Sequence, residues 1–360
     1  MNRYHRQMLV PGVGEEGQQK LLASRVLLVG CGGLGTTLAG LLARAGVGHL
    51  VIADRDFVEL TNLPRQVLFT ESDAEQHLPK AEAARRHLAE ANSQVQIDAV
   101  VDDVSHQNLE RLADGCDLLL DGTDNFETRF LLNDAAVKLG LPYVYGGAVG
   151  TSGMMLPILP HTPAGDRPWE TAGKASPCLR CLFGEAPPPG SAPTCDTAGV
   201  LGSTVSIVAS WQVSEAIKIL LGQWDAVADH LLSLDFWHNS VRQLDVTASY
   251  QPGECPCCGQ RQFEYLTGRL ASRGRTLCGR GGVQLTQYQR RAGQELDLEA
   301  IARRLAPHGE VKRNPFMLRV ELDDAGNRYT LTLFPDGRAI VQGTQEPSVA
   351  KSLYARYVGV

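Results

Sequence analysis

Between residues 25 and 150 the chain alternates two hydrophobic patterns. Short apolar runs that end in glycine or an acid, Val26-Leu-Leu-Val-Gly30, His49-Leu-Val-Ile-Ala-Asp54 and Leu118-Leu-Leu-Asp121, predict strands buried on both faces. Between them the apolar residues recur every three or four positions, as at Leu38, Leu41, Leu42 and Ala45, which predicts a helix that Gly46 stops. The same reading predicts helices over 80–91, 108–113 and 126–139 and strands over 94–101 and 142–149, with 151–159 pairing beside the last. Such alternation describes a mostly parallel sheet covered on both faces. Ahead of the first strand, residues 15–23 have helical composition, so Arg3-Tyr-His-Arg6-Gln7 is expected on a surface arm.

Past residue 159 the pattern breaks. Residues 160–193 turn to Pro, Gly, Ala and Ser with no clear element, and a stretch of that length is either functional or mobile. A long helix over 200–221 follows, then two short antiparallel strands over 231–246. Residues 263–360 predict a strand over 277–285, a helix over 296–305, strands near 316–322 and 329–334, a turn at Pro335-Asp-Gly337, a strand over 338–341 and a helix over 347–357. The expected organisation is a large α/β domain over 1–260 and a small α+β domain over 261–360.

The first strand-to-helix turn adds chemistry to this architecture. Gly30, Gly32 and Gly35, with Gly33 between them, fit G-x-G-x-x-G, where glycine permits the tight turn, the approach of phosphates and close helix packing. The second strand ends in Asp54, about twenty residues on, the usual place for an acid that holds a ribose hydroxyl. A Rossmann-like, doubly wound nucleotide fold is therefore expected, and an NAD(P)-dependent oxidoreductase is the default use of the fingerprint alone. The loop over 56–66, and Asp121 and Asp124 after another strand, are expected at the same carboxyl edge, where doubly wound folds place ligands. Lys80 opens a helix against the dipole preference, which marks it for attention.

Bulk charge excludes some alternatives. A net charge of −6 leaves no basic excess for general nucleic-acid binding. The N-terminus has no apolar h-region and no eighteen apolar residues run together, so a cytoplasmic protein without a membrane partner is expected.

In that reducing compartment nine cysteines argue for metal ligation or thiol chemistry over disulfides. Cys178-Leu-Arg-Cys181 and Cys255-Pro-Cys-Cys258 supply two C-x-x-C knuckles, the four soft thiolates of a closed, structural zinc site that clips the ends of segment 182–254 together. Unligated buried thiols or a redox pair are the alternatives. Cys257 could replace an outer thiol, although C-x-x-C geometry favours Cys255 and Cys258. Cys31 and Cys116 sit among apolar residues and read as small core side chains. Cys195 precedes the long helix, where a thiol gains thiolate character, so it is either a nucleophile or an incidental loop cysteine.

Taken in order, Arg3-Tyr-His-Arg6-Gln7, the Gly30 to Gly35 turn, Asp54-Arg-Asp56, Asn62-Leu-Pro-Arg65-Gln66, Lys80, Asp121-Gly-Thr-Asp124-Asn125 and the two knuckles resemble the ThiF/MoeB/HesA family. These are bacterial relatives of the ubiquitin-activating E1 enzymes, and the resemblance covers about residues 1–260. It implies an ATP-dependent adenylyltransferase with a crossover loop over about 160–198. Its substrate would be the C-terminal carboxylate of a small ubiquitin-like sulfur carrier ending in Gly-Gly, with sulfur from a donor such as a cysteine desulfurase passing into thiamine, molybdopterin or related pathways. The resemblance places the ribose on Asp54, the triphosphate on Arg65 and Lys80, and Mg2+ on Asp124. Asn62 would support the phosphates or the loop, and Asp56 and Asn125 would complete the nucleotide site. Arg6 would reach across a homodimer to the partner's phosphates. Cys195 matches the E1-type cysteine, which can form an acyl-thioester, acyl-disulfide or persulfide.

The chemistry agrees with this implication. A carboxylate is already ionised at neutral pH, so its attack on ATP needs no base, only positioning and cations that let two anions meet. The oxidoreductase reading leaves Arg6, Arg65, Lys80, Asp124 and the knuckles without a shared purpose. A non-catalytic scaffold that binds a nucleotide or a ubiquitin-like partner is the other alternative. Residues 261–360 depart from a minimal family member. Cys278-Gly-Arg-Gly-Gly282 only partly echoes the C-R-x-G-x-R loop of a rhodanese, so Cys278 reads equally as a structural thiol or a sulfur relay.

Overall fold

A strand whose residues are buried on both faces must lie inside a sheet, and β1 (Arg25–Val29) does. In the computed structural model it belongs to a parallel set with β2 (His49–Ala53), β3 (Gln96–Val100), β4 (Leu118–Asp121) and β5 (Tyr143–Val149). β6 (Ser152–Ile158), β7 (His230–Asp235) and β8 (Ser240–Asp245) continue the sheet antiparallel, in the order β3-β2-β1-β4-β5-β6-β7-β8. The structure describes residues 2–186, 195–270, 276–277, 282–285, 296–324 and 326–358. Cys278 lies outside them, as does the side chain of Cys195, whose backbone opens the short helix Cys195–Ala198.

Alternate strand residues face opposite layers. Val26, Leu28, Leu50 and Ile52 join one core beneath the helices Gly33–Ala45, Lys80–Ala91 and Gly202–Leu221. Leu27, Val29, Val51 and Leu119 join the other, beneath Phe126–Leu139. Gly202–Leu221 is long and apolar enough to cross a membrane by length and composition, yet Val205, Val208, Ala209, Val213 and Ala216 are buried against the rest of this domain.

The strand order reverses between β1 and β4, which creates a crevice at their carboxyl ends. Gly30 turns there with φ 88°, and a Cβ on it would lie 2.7 Å from the Gly122 carbonyl oxygen. The two loops touch backbone to backbone, so the close approach requires glycine on both sides.

The arm expected on the surface is docked instead. Its residues form the short helix His5–Met8 after a 3-10 turn, and Tyr4 is buried on Gly46, the left-handed residue that ends Gly33–Ala45. Asn92 Nδ2 donates to Tyr4 Oη at 2.8 Å, and Gln7 Nε2 donates to Ala45 O at 2.9 Å. The segment expected to lack elements carries Pro168–Thr171 and Leu179–Phe183, the first with proline at its N-terminus and the second set by the cysteine knuckle.

The chain divides into two compact units, Met1–Ala271 and Ser272–Val360. The second has a six-stranded antiparallel sheet of β9 (Thr276–Leu277), β10 (Gly282–Leu285), β11 (Gly309–Asn314), β12 (Met317–Asp324), β13 (Asn327–Leu333) and β14 (Ala339–Gln342). Leu318, Val320, Leu331 and Val341 pack beneath the helices Leu298–Leu305 and Pro347–Tyr357. The single strand expected over 277–285 is two short paired strands, and β11 has no counterpart among the expected elements.

Candidate nucleotide site and metal centre

The glycine turn is built from a strand that ends in the crevice and a helix that begins there. Gly35 packs so closely that a Cβ would fall 2.0 Å from Gly30 O, whereas at Gly32 the nearest neighbour would be Gln66 Nε2 at 3.8 Å. Gly32 therefore leaves space at the mouth of the helix Gly33–Ala45, whose first turn has no side-chain cap. Free N–H groups at a helix start favour an anion.

Asp54 stands beside this turn. Its Oδ2 accepts from the Cys31 N–H at 2.6 Å and its Oδ1 from the Asp56 N–H at 2.7 Å. Burial pushes the Asp54 carboxyl up, against the pull of the Lys80 ammonium. Lys80 is buried, with Nζ 3.1 Å from Asp56 Oδ2 and its backbone N–H on Asp56 O. The structure thus brings Cys31, Asp54, Asp56 and Lys80 into one network. Cys31 is fully buried, and burial followed by Asp54 pushes its thiol far up, so it is a core residue and no nucleophile.

The loop after Asp56 folds over the turn. Asn62 is buried and its Oδ1 accepts from the Glu59 N–H at 3.2 Å, shaping the 3-10 turn Leu60–Asn62. Half-buried Arg65 donates from a guanidinium nitrogen to Thr61 O at 3.0 Å. Gln66 escaped the sequence reading as a site residue. It is 2% exposed and its Oε1 has no hydrogen-bond partner.

At the end of β4 the two acids part company. Asp121, expected at the carboxyl edge with Asp124, ends β4 there but is fully buried, and burial pushes its carboxyl up against the opposing pull of Arg129. Its Oδ1 accepts from the Thr123 N–H at 2.8 Å and Thr123 Oγ1 at 2.7 Å, and Tyr143 Oη donates to Oδ2 at 3.1 Å. Asp124 is exposed, a hard oxygen donor facing water. Asn125, also exposed, uses Oδ1 to accept from the Thr128 N–H at 2.9 Å, which caps the helix Phe126–Leu139.

Arg6 is exposed and does not join this cluster. Its neighbours Tyr4 and Gln7 bind the far end of Gly33–Ala45, a helix about 18 Å long, so the arm sits well away from its own glycine turn.

The cysteines meet on the other face. The Sγ atoms of Cys178, Cys181, Cys255 and Cys258 all lie within 4.8 Å of one another. Three of the separations are 3.8 Å (Cys178 to Cys181), 3.7 Å (Cys178 to Cys255) and 3.4 Å (Cys181 to Cys258). Tetrahedral zinc with its usual bond to sulfur requires edges of about 3.8 Å, so the donor set fits a metal such as zinc. Cys257 is not one of the four. Its buried sulfur accepts from Asn133 Nδ2 at 3.3 Å, while Asn133 Oδ1 takes the Leu179 N–H at 2.7 Å. One buried amide therefore ties both knuckles to the helix Phe126–Leu139.

A doubly wound α/β domain with a glycine turn, Lys80 and several acids at the switch point, and four thiols that could hold a metal, has the features of a class of nucleotide-dependent activating enzymes. Residues 4–257 match the family model described as ThiF family, and the chain belongs to that family of E1-like adenylyltransferases. The chain is 40% identical over 358 residues, 99% of each protein, to the sulfur carrier protein ThiS adenylyltransferase of Bacillus subtilis. It is 38% identical over 257 residues, covering 71% of this chain and 94% of the relative, to the protein of the same name from Escherichia coli.

 The solved structures of Escherichia coli MccB share the fold at 21% identity, with a TM-score of 0.59 over 72% of this chain and 75% of theirs for the complex with MccA-N7isoASN.

Proposed function

We propose that this chain adenylylates the C-terminal glycine carboxylate of a small ubiquitin-like sulfur carrier ending in Gly-Gly, using ATP and releasing pyrophosphate. What supports the reading is Lys80 on Asp56 beside Asp54 and the glycine turn, with the backbones of Arg65 and Gly122 packed against that turn at the strand-order reversal. Hydride transfer gives those charges no task. Near-full-length similarity to a sulfur carrier protein ThiS adenylyltransferase supports the carrier as partner.

The carboxylate attacks the α-phosphorus, and the bond to the bridging oxygen breaks with its electron pair leaving on pyrophosphate. The uncapped helix start and the glycine-turn amides receive phosphate oxygens, while Lys80 and Arg65 offset charge as the two anions approach. Asp54 accepts from a ribose hydroxyl, with Asp56 holding Lys80 in reach. Asp124 offers the oxygen donor that suits Mg2+, which would neutralise phosphate charge when bound. The four thiols would hold Zn2+ as a closed structural site with no position left for substrate.

Arg6 is proposed to serve the site of a second copy in a homodimer, because the anchored arm lies at the wrong end of its own helix. Exposed Leu9, Val10, Leu60 and Val67 offer apolar surface for that association. Sulfur would then come from a donor such as a cysteine desulfurase, in the cytoplasm, with or without a covalent link through Cys195.

The test is ATP–pyrophosphate exchange with a purified carrier ending in Gly-Gly. Exchange that requires the carrier and its terminal glycine is expected. Binding of NADH without exchange would overturn the reading, and nucleotide binding without exchange would leave a scaffold.

A further inference from the structure

Arg129 is a buried cation in a helix whose residues from Thr128 to Val137 are all buried, and the proposed chemistry gives it no direct task. It is 7% exposed, and its guanidinium lies between the rings of Phe126 and Tyr145, 5.5 and 5.4 Å from their centroids. Its Nε lies 3.3 Å from Asp121 Oδ2. One terminal nitrogen donates to Thr123 O at 2.9 Å and to Gly146 O at 3.2 Å. Nε makes no hydrogen bond there, so Asp121 holds it by charge, while two backbone carbonyls occupy that one terminal nitrogen.

Stability does not explain the pair, because a buried ion pair is often no better than a well-packed apolar one. Its placement does have a geometric result. Asp121 holds the Thr123 N–H and hydroxyl, and Arg129 holds the Thr123 carbonyl. The preceding residue, Gly122, is pressed so close to Gly30 that a Cβ would fall 2.3 Å from Gly30 O. The residue immediately after this clamped peptide is Asp124, whose exposed side chain faces water.

We propose that Arg129, acting with Asp121, is a positioning residue that fixes the backbone from which Asp124 presents its carboxylate to the nucleotide's metal ion. The proposal rests on the adenylylation reading for the identity of that ion. The bond to Gly146 O also ties the turn to β5, so the clamp spans neighbouring strands at the carboxyl edge.

Arg129→Lys separates counter-charge from geometry. Lysine can still oppose Asp121, but it cannot bond several acceptors in one plane. The expected result is a folded protein with kcat for exchange lowered by about 10²-fold and a higher half-saturating Mg2+ concentration. Calorimetric titration of ATP should show binding near wild type without Mg2+ and a diminished gain when Mg2+ is added. Should Arg129→Lys not fold, Thr123→Val removes one donor to Asp121 and leaves the ion pair; a smaller shift of the same sign is expected.

Wild-type kcat, half-saturating Mg2+ and calorimetric gain in the folded variant would overturn the proposal. The wild-type protein measured alongside keeps the two readings apart. Without exchange in the wild type the adenylylation reading fails, and the magnesium-dependent gain in ATP affinity still decides the role of Arg129.

Discussion

The thiol cluster and the nucleotide edge are both assembled from residues far apart in the chain, yet they are prepared in opposite ways. The four sulfurs already stand at ligand spacing, and Asn133 binds both knuckles to one helix. At the nucleotide edge the preparation lies in the backbone: Gly30 against Gly122, Asp54 on Cys31 and Asp56, Arg129 on Thr123. The groups that would meet the ligand are less complete, with Asp124 exposed, Gln66 Oε1 unpartnered and Arg6 elsewhere. A structural site can be closed within the chain, whereas a site that must admit and release a nucleotide keeps polar groups waiting.

Substitution at each region should break this contrast most clearly. Asp124→Ala is expected to lower carrier-dependent exchange by about 10²- to 10³-fold with an unchanged melting temperature. Cys178→Ser should do the reverse, losing bound zinc by elemental analysis and lowering the melting temperature by about 10 °C or more. Equal thermal loss in both would erase the distinction.

Mixing chains tests whether the edge is completed by a second copy. Arg6→Ala and Asp124→Ala proteins, inactive alone, should recover about a quarter of wild-type exchange after random subunit mixing, since half the dimers carry one intact site. No recovery despite mixed dimers in native mass spectrometry would place Arg6 outside the partner's site. Within the glycine turn, Gly35→Ala should destabilise the fold by about 1–3 kcal/mol in urea unfolding, because its Cβ meets Gly30 O. Gly32→Ala should spare stability and raise the KM for ATP. The smallest effect is expected at Asn125, where Ala should cost about 1 kcal/mol through the lost cap and Ser should restore most of it in the same unfolding measurement.

The parallel half of the sheet was legible because β1, β2 and β4 are continuous apolar runs, β3 alternates, and the helices keep a clear period. The helix Phe126–Leu139 matches its expected bounds, and the outer thiols of each knuckle are the ones that converge. β11 was not legible because Gly-Glu-Val-Lys-Arg-Asn has one apolar residue, as an edge strand can. The docked arm depends on Tyr4 meeting Gly46, a contact between distant residues that no local pattern announces. Asp121 and Asp124 look alike in sequence, and only the fold separates the buried acid from the exposed one. Arg129 carried a signal of its own: a charge set between Phe126 and Phe130.

The helix Phe126–Leu139 has every residue from Thr128 to Val137 buried. Its first turns carry the clamp beneath Asp124, and its later turns carry Asn133, which holds the knuckles. Between Thr128 and Val137 it has no watered side, so that stretch has almost no positions at which inherited change is neutral. Descendants of this chain are therefore free to vary their loops and their second unit, while this segment should drift most slowly, constrained at once by the proposed nucleotide edge, by the thiol cluster and by packing.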